Sequence, residues 1–205
     1  MSTLRDTDPM AWLIACEEIR QLASRYAVSL NHRDLDALAE LFVPDVRIGR
    51  DLTGRAALRA NMAMQLADGH RTILQVTNHV IDVHDADHAT GVVGTRGEIE
   101  RGDEWVIQVI EYHDTYARRD GRWLFVRRRH HLWYGADMLT RPNVLPDANW
   151  PQRQTGKGVL PEIMPSWQAW TEERDALTQR SHEQHRQEHR QEHQQEHRQE
   201  HQQQQ

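Results

Sequence analysis

Cysteine is all but missing from this chain of 205 residues: Cys16 is the only one. No intramolecular disulfide can form, and a reducing compartment is the simpler setting. Cys16 lies in an apolar helical pattern, so a buried structural thiol is expected rather than a reactive one. Long hydrophobic runs are missing as well. No stretch approaches the roughly 18 apolar residues of a membrane span, and the acidic opening MSTLRDTDPM lacks the basic patch and apolar run of a secretory signal. A cytoplasmic protein is therefore expected. There is no excess of positive charge, since 25 basic against 31 acidic side chains leave −6, of which −2 sits after Arg180. That balance argues against a nucleic-acid surface. Zinc signatures, a phosphate loop, a dinucleotide fingerprint and a Gly-x-Ser-x-Gly elbow are all absent. His130 and His131 are adjacent, so one strand cannot aim both at one metal. Neither a cofactor nor a metal is expected.

What is present reads as helices followed by strands. Asp8-Pro9 is a cap followed by proline in the first turn, and Trp12, Ile19, Leu22, Ala23, Tyr26 and Leu30 recur at helical spacing. After the break at Asn31-His32-Arg33, Asp34 can cap a short helix from Leu35 to Phe42 that Pro44 stops. A brief strand around Val46 to Ile48 follows, and Gly54 opens a third helix from Arg55 to Ala67. From His70 the pattern turns to β. Ile73 to Val83, Ala89 to Ile99, Trp105 to Tyr116 and Trp123 to Tyr134 are rich in Val, Ile, Thr and aromatics and are separated by turns such as Arg101-Gly102-Asp103 and Asp120-Gly121. The fold class is α+β: three N-terminal helices packed on an antiparallel meander.

Alternation assigns the faces. In the third long strand Val106, Gln108, Ile110, Tyr112 and Asp114 share one face and Trp105, Ile107, Val109, Glu111 and His113 the other. Both faces are semi-apolar, which suggests helices on one side and another subunit on the other, as in a homodimer or homotrimer. In the last strand Phe125, Arg127, Arg129 and His131 fall on one face and Val126, Arg128, His130 and Leu132 on the other. Residues 136–165 lack a period and carry five prolines, which predicts an extended arm lying over a neighbouring subunit or over a pocket mouth, with a final helix from Ser166 to about Arg180. Three segments result: 1–135 as the domain, 136–180 as arm and helix, and 181–205 as a low-complexity tail rich in His, Gln and Glu. The histidines of that tail are mostly four apart, which suits either a solvated tract or, if helical, adventitious metal binding.

The order of these elements, with Tyr26 and Asn31 bracketing the end of the first helix, the Asp34-to-Phe42 segment, the strand Val76-Thr77-Asn78-His79-Val80 and the hairpin Tyr116-Ala117-Arg118-Arg119-Asp120-Gly121-Arg122-Trp123-Leu124-Phe125, resembles the SnoaL-like branch of the nuclear-transport-factor-2-like superfamily. The resemblance covers residues 12 to 135. It implies a cone-shaped α+β barrel, with helices closing a strongly curved sheet around a pocket for a small aromatic or polycyclic molecule. Members similar to scytalone dehydratase, bile-acid dehydratase and hexachlorocyclohexane dehydrochlorinase use an aspartate at the end of helix one and a histidine on the strand after helix three. Here Asn31 holds the first position and Leu74 or Gln75 the second. The usual acid–base dyad is missing.

The resemblance turns the face of Gln108, Ile110 and Tyr112 inward and makes Arg128 a pocket arginine beside His130. His130 is the candidate base, and Tyr26 and Arg128 are candidates for stabilising charge on oxygen. Asn31, Leu74, Gln108, Ile110 and Tyr112 are the candidates for substrate contact. Each also has a plainer reading: Tyr26 as a core residue, Asn31 as a helix terminus, Arg128 in an ion pair with Asp114 or Glu98, His130 on the surface. His70, Asn78 and His79 are expected at the surface or at strand ends. The functional expectation is a cofactor-independent lyase of elimination or retro-aldol type, an activity that in this superfamily includes formaldehyde release. An isomerase or dehydratase of a hydroxylated ring compound, or a non-catalytic binding module, is the alternative.

Overall fold

The computed structural model describes residues 3–67, 70–140, 144–153, 155–160, 162, 163, 165, 168, 169 and 171. The chain divides into two compact units, Met1–Leu160 and Pro161–Gln205. The predicted final helix and the histidine-rich tail fall almost wholly outside the described residues.

A short helix absent from the sequence reading, α1 (Leu4–Thr7), comes first. The long helix α2 (Pro9–Asn31) follows, and its cap is the predicted one, with Asp8 Oδ1 accepting from Ala11 N at 3.0 Å. Asp34 caps α3 (Leu35–Glu40) in the same way through Ala37 N. Between these helices it is Arg33, at φ 59°, that takes the left-handed conformation, while Asn31 stays helical. The predicted short strand is half of a hairpin, β1 (Arg47–Ile48) with β2 (Leu52–Thr53), and Gly54 at φ 98° leads into α4 (Arg55–Leu66). The second strand of that hairpin is too short to carry a period of its own.

The main sheet is antiparallel and ordered β3-β4-β5-β6-β7, from β3 (Arg71–Val83), β4 (His88–Arg101), β5 (Glu104–Arg119) and β6 (Arg122–Asp137) to the two-residue β7 (Gly156–Lys157). It is open, with edges at β3 and β7, so the barrel implied by the resemblance does not close. The core gathers on one face. Leu74, Val93, Ile110 and Tyr116 are buried there with Ile19, Leu22, Ala23 and Tyr26 of α2. Cys16 belongs to the same buried side of α2, and burial pushes its thiol pKa up, as a structural cysteine requires.

Three bulges interrupt the main sheet; one leaves Trp133 of β6 unpaired, and the other two change the faces of His79 and Phe125. In β3, Val76 pairs with Thr95 but His79 with Val93. The extra residue shifts the alternation by one, as a bulge must, and His79 turns inward rather than lying at the surface. In β6, Arg128 pairs with Asp114 and Arg127 with Thr115, but Phe125 pairs with Tyr116, leaving Val126 unpaired. Phe125 is therefore fully buried on the same side as Arg128. The strict alternation that separated the two fails at this position.

The arm after β6 returns to the sheet. Gly158 N donates to Trp133 O at 3.0 Å and Ala148 N to Lys157 O at 2.6 Å, which latches the stretch around residue 150 beside β6. A Cβ on Gly158 would run into the main chain of Leu132, where no flexible side chain can yield. Gly158→Ala should detach this latch. Limited proteolysis that cuts the variant within 144–157 at least about tenfold faster than the parent is the expected result, and equal rates would show the latch to be dispensable.

Candidate active site

The first unit encloses a cavity of about 810 Å³ whose wall includes Tyr26 from α2, Leu74 from β3, Gln108, Ile110 and Tyr112 from β5, and Arg128 and His130 from β6. Seven of the eight sequence-derived candidates are thus brought together. Asn31 is the exception. Its side chain is clamped to the main chain of Leu74, with Oδ1 accepting from Leu74 N at 2.7 Å and Nδ2 donating to Leu74 O at 3.2 Å. Both halves of the amide are engaged in tying the end of α2 to β3, so Asn31 does not contribute to the wall.

Arg128 stands at the centre of the polar arrangement. Its side chain is 6% exposed, and it forks onto Asp114, fully enclosed, through Nε–Oδ1 at 2.9 Å and Nη2–Oδ2 at 2.6 Å. Of the two partners considered, Asp114 is the one used; Glu98 instead accepts from Trp105 Nε1 and Arg96. The guanidinium also lies over three rings, 4.3 Å from Tyr26, 4.4 Å from Tyr112 and 4.2 Å from Phe125. Such contacts strengthen when water is excluded, and a forked ion pair is the arrangement that permits an arginine inside a protein.

Behind Asp114 runs a second chain of hydrogen bonds. Tyr116 donates its phenol proton to Asp114 Oδ2 at 2.9 Å, and the same phenol oxygen lies 3.0 Å from His79 Nε2. A phenol has one proton to give, so here His79 Nε2–H must be the donor. That leaves His79 Nδ1 unprotonated, and it is buried without a hydrogen-bond partner. Burial dominates its titration and brings the pKa down to about 4. His79 and Tyr116 escaped the sequence reading because only the β3 bulge turns His79 inward.

His130 differs from every other polar group on the wall. Both of its ring nitrogens are buried with no hydrogen-bond partner. Trp150, carried by the arm, stacks on it at 4.1 Å and 9°, and Tyr112 meets it edge-on at 5.5 Å. Burial lowers its pKa to about 4, so the imidazole is neutral at pH 7 and has one nitrogen free to accept a proton. The two phenols are also neutral. Burial raises the pKa of Tyr26 despite the opposing charge of Arg128, and raises that of Tyr112 as well. Tyr26 is therefore a hydrogen-bond donor and not a base. The rest of the wall is mixed, with Leu30, Phe42, Met62 and Ile99 among its apolar residues and the exposed Arg47, Arg119, Arg127 and Arg129 among its charged ones.

The arrangement offers donors for an oxygen and one uncommitted imidazole in a chamber large enough for two or three fused rings. The arm reaches this chamber through Trp150. The sequence signal for Trp150 was a single aromatic among prolines, which marks an anchor but not its partner. Among the described residues no group of three or more His, Cys, Asp or Glu side chains is placed to hold a metal ion, and no helix is long and apolar enough to cross a membrane.

A family model described as a SnoaL-like domain matches residues 13–129. No curated protein matches the chain. Solved structures similar to it include a putative scytalone dehydratase from Novosphingobium aromaticivorans, 23% identical over 64% of this chain and 92% of that one with a TM-score of 0.55. A type 3 hexachlorocyclohexane dehydrochlorinase from Novosphingobium barchaimii is 21% identical over 68% and 100%, with a TM-score of 0.55. An NTF2-like protein with a cystatin-like fold from Novosphingobium aromaticivorans is 26% identical over 63% and 90%, with a TM-score of 0.50. The likeness is one of architecture: helices on one face of an open antiparallel sheet. His130 and Trp150 both lie beyond the matched segment.

Proposed function

Because the chain belongs to the SnoaL-like domain family, we propose that its cavity is the active site of a cofactor-independent lyase that acts on a small aromatic or polycyclic compound by proton transfer. The observation that carries this reading is His130: a neutral imidazole on the cavity wall whose nitrogens no protein group engages. A buried polar atom left without a partner is costly, and a substrate proton is the partner this one lacks. His130 takes the proton from carbon or oxygen, while Tyr26 donates to the oxygen on which negative charge builds and Arg128, already paired with Asp114, holds the Tyr26 ring in place. Gln108 and Tyr112 orient the polar edge, and Leu74 and Ile110 bear on the ring. Elimination and retro-aldol cleavage, including loss of formaldehyde, both begin from such a step. The dehydratase and dehydrochlorinase among structures of similar fold support the lyase class.

A non-catalytic binding module is the second reading. It is favoured by Asn31, which stands where the resemblance expects an acid and is held by main chain rather than by a base. The two readings separate in deuterium oxide with 2-tetralone, a bicyclic ketone, by following loss of its α-proton signals. The protein should accelerate exchange on the order of 10²-fold, and His130→Ala should abolish the acceleration while Asn31→Ala leaves it within about twofold. No acceleration by the parent, or full acceleration by His130→Ala, would overturn the assignment.

The outer face of the sheet supports a homo-oligomer, dimer or trimer. It leaves Val80 60% and Trp133 37% exposed, apolar side chains that a second copy could cover.

A further inference from the structure

An arginine on the wall of an apolar cavity would ordinarily mark it as a receptor for carboxylates or phosphates. The surroundings of Arg128 argue the opposite. Both of its hydrogen-bonded nitrogens face Asp114 in a forked pair, so the guanidinium already has its anion. Asp114 is not part of the cavity wall; it sits behind Arg128 with no exposed side-chain surface. Tyr116 gives Asp114 one more hydrogen bond, and His79 donates to Tyr116 in turn. Three rings cover the guanidinium at 4.2 to 4.4 Å, leaving little room for a second anion to approach it. The other polar groups beside Arg128 on the wall, Tyr26, Tyr112, Gln108 and His130, carry no charge at neutral pH, and the remaining arginines of the lining, Arg47, Arg119, Arg127 and Arg129, are exposed to solvent. An anion brought among the buried groups around Arg128 would lose its hydration and gain no unpaired cation there, a balance that is strongly unfavourable in a low-dielectric site.

We propose that Asp114 is a specificity-determining residue the ligand never touches: by neutralising Arg128 it makes the cavity select uncharged hydroxylated ring compounds and reject the corresponding carboxylates. This rests on the reading of the cavity as a site for small aromatic molecules, and not on any reaction there. The hydroxyl of such a ligand would donate to an unpartnered nitrogen of His130 and accept from the phenol of Tyr26 or Tyr112. A carboxylate can make only the second of these bonds, because it has no proton to give. The selectivity is nonetheless set by charge, since the protonated ring nitrogen of His130 can donate to either ligand.

Two probes of one ring system separate the possibilities. At neutral pH 2-naphthol is uncharged and 2-naphthoate is an anion, and equilibrium dialysis against the whole chain gives Kd for each. The parent should bind 2-naphthol at least about tenfold more tightly than 2-naphthoate. Asp114→Asn removes the internal anion but keeps the shape, so it should reverse the order or narrow it by about tenfold or more, with 2-naphthoate raising the Tm of that variant and 2-naphthol not. Tyr116→Phe, which takes a hydrogen bond from Asp114 but leaves its charge, should keep the parental order. If the parent binds 2-naphthoate as tightly as 2-naphthol, the inference is wrong while the cavity reading survives. Failure of both probes to bind the parent removes the cavity reading and the inference with it. Should Asp114→Asn not fold, the parental ratio together with Tyr116→Phe still decides, since a preference lost in Tyr116→Phe would assign selectivity to packing and overturn the role of charge.

Discussion

Arg128→Ala is expected to lower the free energy of unfolding by about 3–5 kcal/mol, the range for breaking a buried ion pair from one side. The large effect comes from what stays behind. Asp114 has no exposed side-chain surface, so its carboxylate would be left in the core with only the Tyr116 phenol for compensation. The cavity created under Tyr26, Tyr112 and Phe125, whose rings now pack on the guanidinium, adds to the loss. Urea unfolding followed by tryptophan fluorescence measures it. The double substitution Arg128→Leu with Asp114→Leu removes both charges together and should recover a large part of the stability, since apolar replacements of buried pairs are often neutral or favourable. A loss below about 1 kcal/mol for Arg128→Ala would mean that water reaches Asp114, and the enclosed pair would have to be abandoned.

The second large effect is on acid stability. His79 and His130 both have folded pKa values of about 4, against 6.5 for an exposed imidazole, and burial is the main cause in each case. In the folded state they are neutral between these values, whereas in the unfolded chain they take up protons. The unfolded state therefore binds more protons over this window, so stability falls as pH drops from about 6.5 to about 4 and levels off below it as far as these two groups are concerned. The groups around His79 are Tyr116, Asp114, Arg128 and Arg20, of which only Asp114 favours the imidazolium. Those around His130 are Tyr112, Trp150 and His131, and none is an anion. His130 can contribute on the order of 3 kcal/mol across the window, because each tenfold change in proton affinity corresponds to about 1.4 kcal/mol. His79 is only half-buried and contributes less, since solvent screens the charge it would carry. Urea midpoints at about pH 7 and about pH 4.5, either side of most of this window, test the effect. The parent should lose stability on acidification, and His130→Phe should lose clearly less. An equal loss in the variant would show that His130 is already hydrated in the fold.

Much of the architecture was readable in advance because its causes are local. Asp8 and Asp34 cap helices through bonds that span three residues. Long runs of Val, Ile, Thr and aromatics can only satisfy their main chain in a sheet, and the turns between them are short enough to force antiparallel neighbours. Alternation grouped Gln108 with Ile110 and Tyr112, and Arg128 with His130, the resemblance turned both sets and Tyr26 inward, and all six line the cavity. Where a pattern is regular over many residues, one inward residue predicts the others.

The misreadings share a cause in pairing that one strand does not reveal about another. The bulge at Val126 depends on how β6 meets β5, and it moved Phe125 from the outer face to the core. The bulge opposite Gly94 did the same for His79, where a Cβ on that glycine would meet the side chain of Asn78. Asn31 could be identified as the residue at the end of the first helix. That its amide would be taken by the Leu74 main chain, 43 residues away, was a matter of how α2 crosses β3. Trp150 gave no sign of His130 as its partner, since β7 brings the arm back across a stretch that has no period.

The chain's own composition and periodicity therefore settled the helices, the four long strands, the absence of a disulfide and the alternation of β5, because capping, amphipathicity and alternation act over a few residues. Tertiary structure alone decided that Arg128 is held by Asp114, that Tyr116 and His79 stand behind that carboxylate, and that His130 lies under Trp150 with no hydrogen-bond partner. Charge neutralisation and exclusion of water depend on which groups meet in three dimensions, and a single-residue bulge is enough to change them.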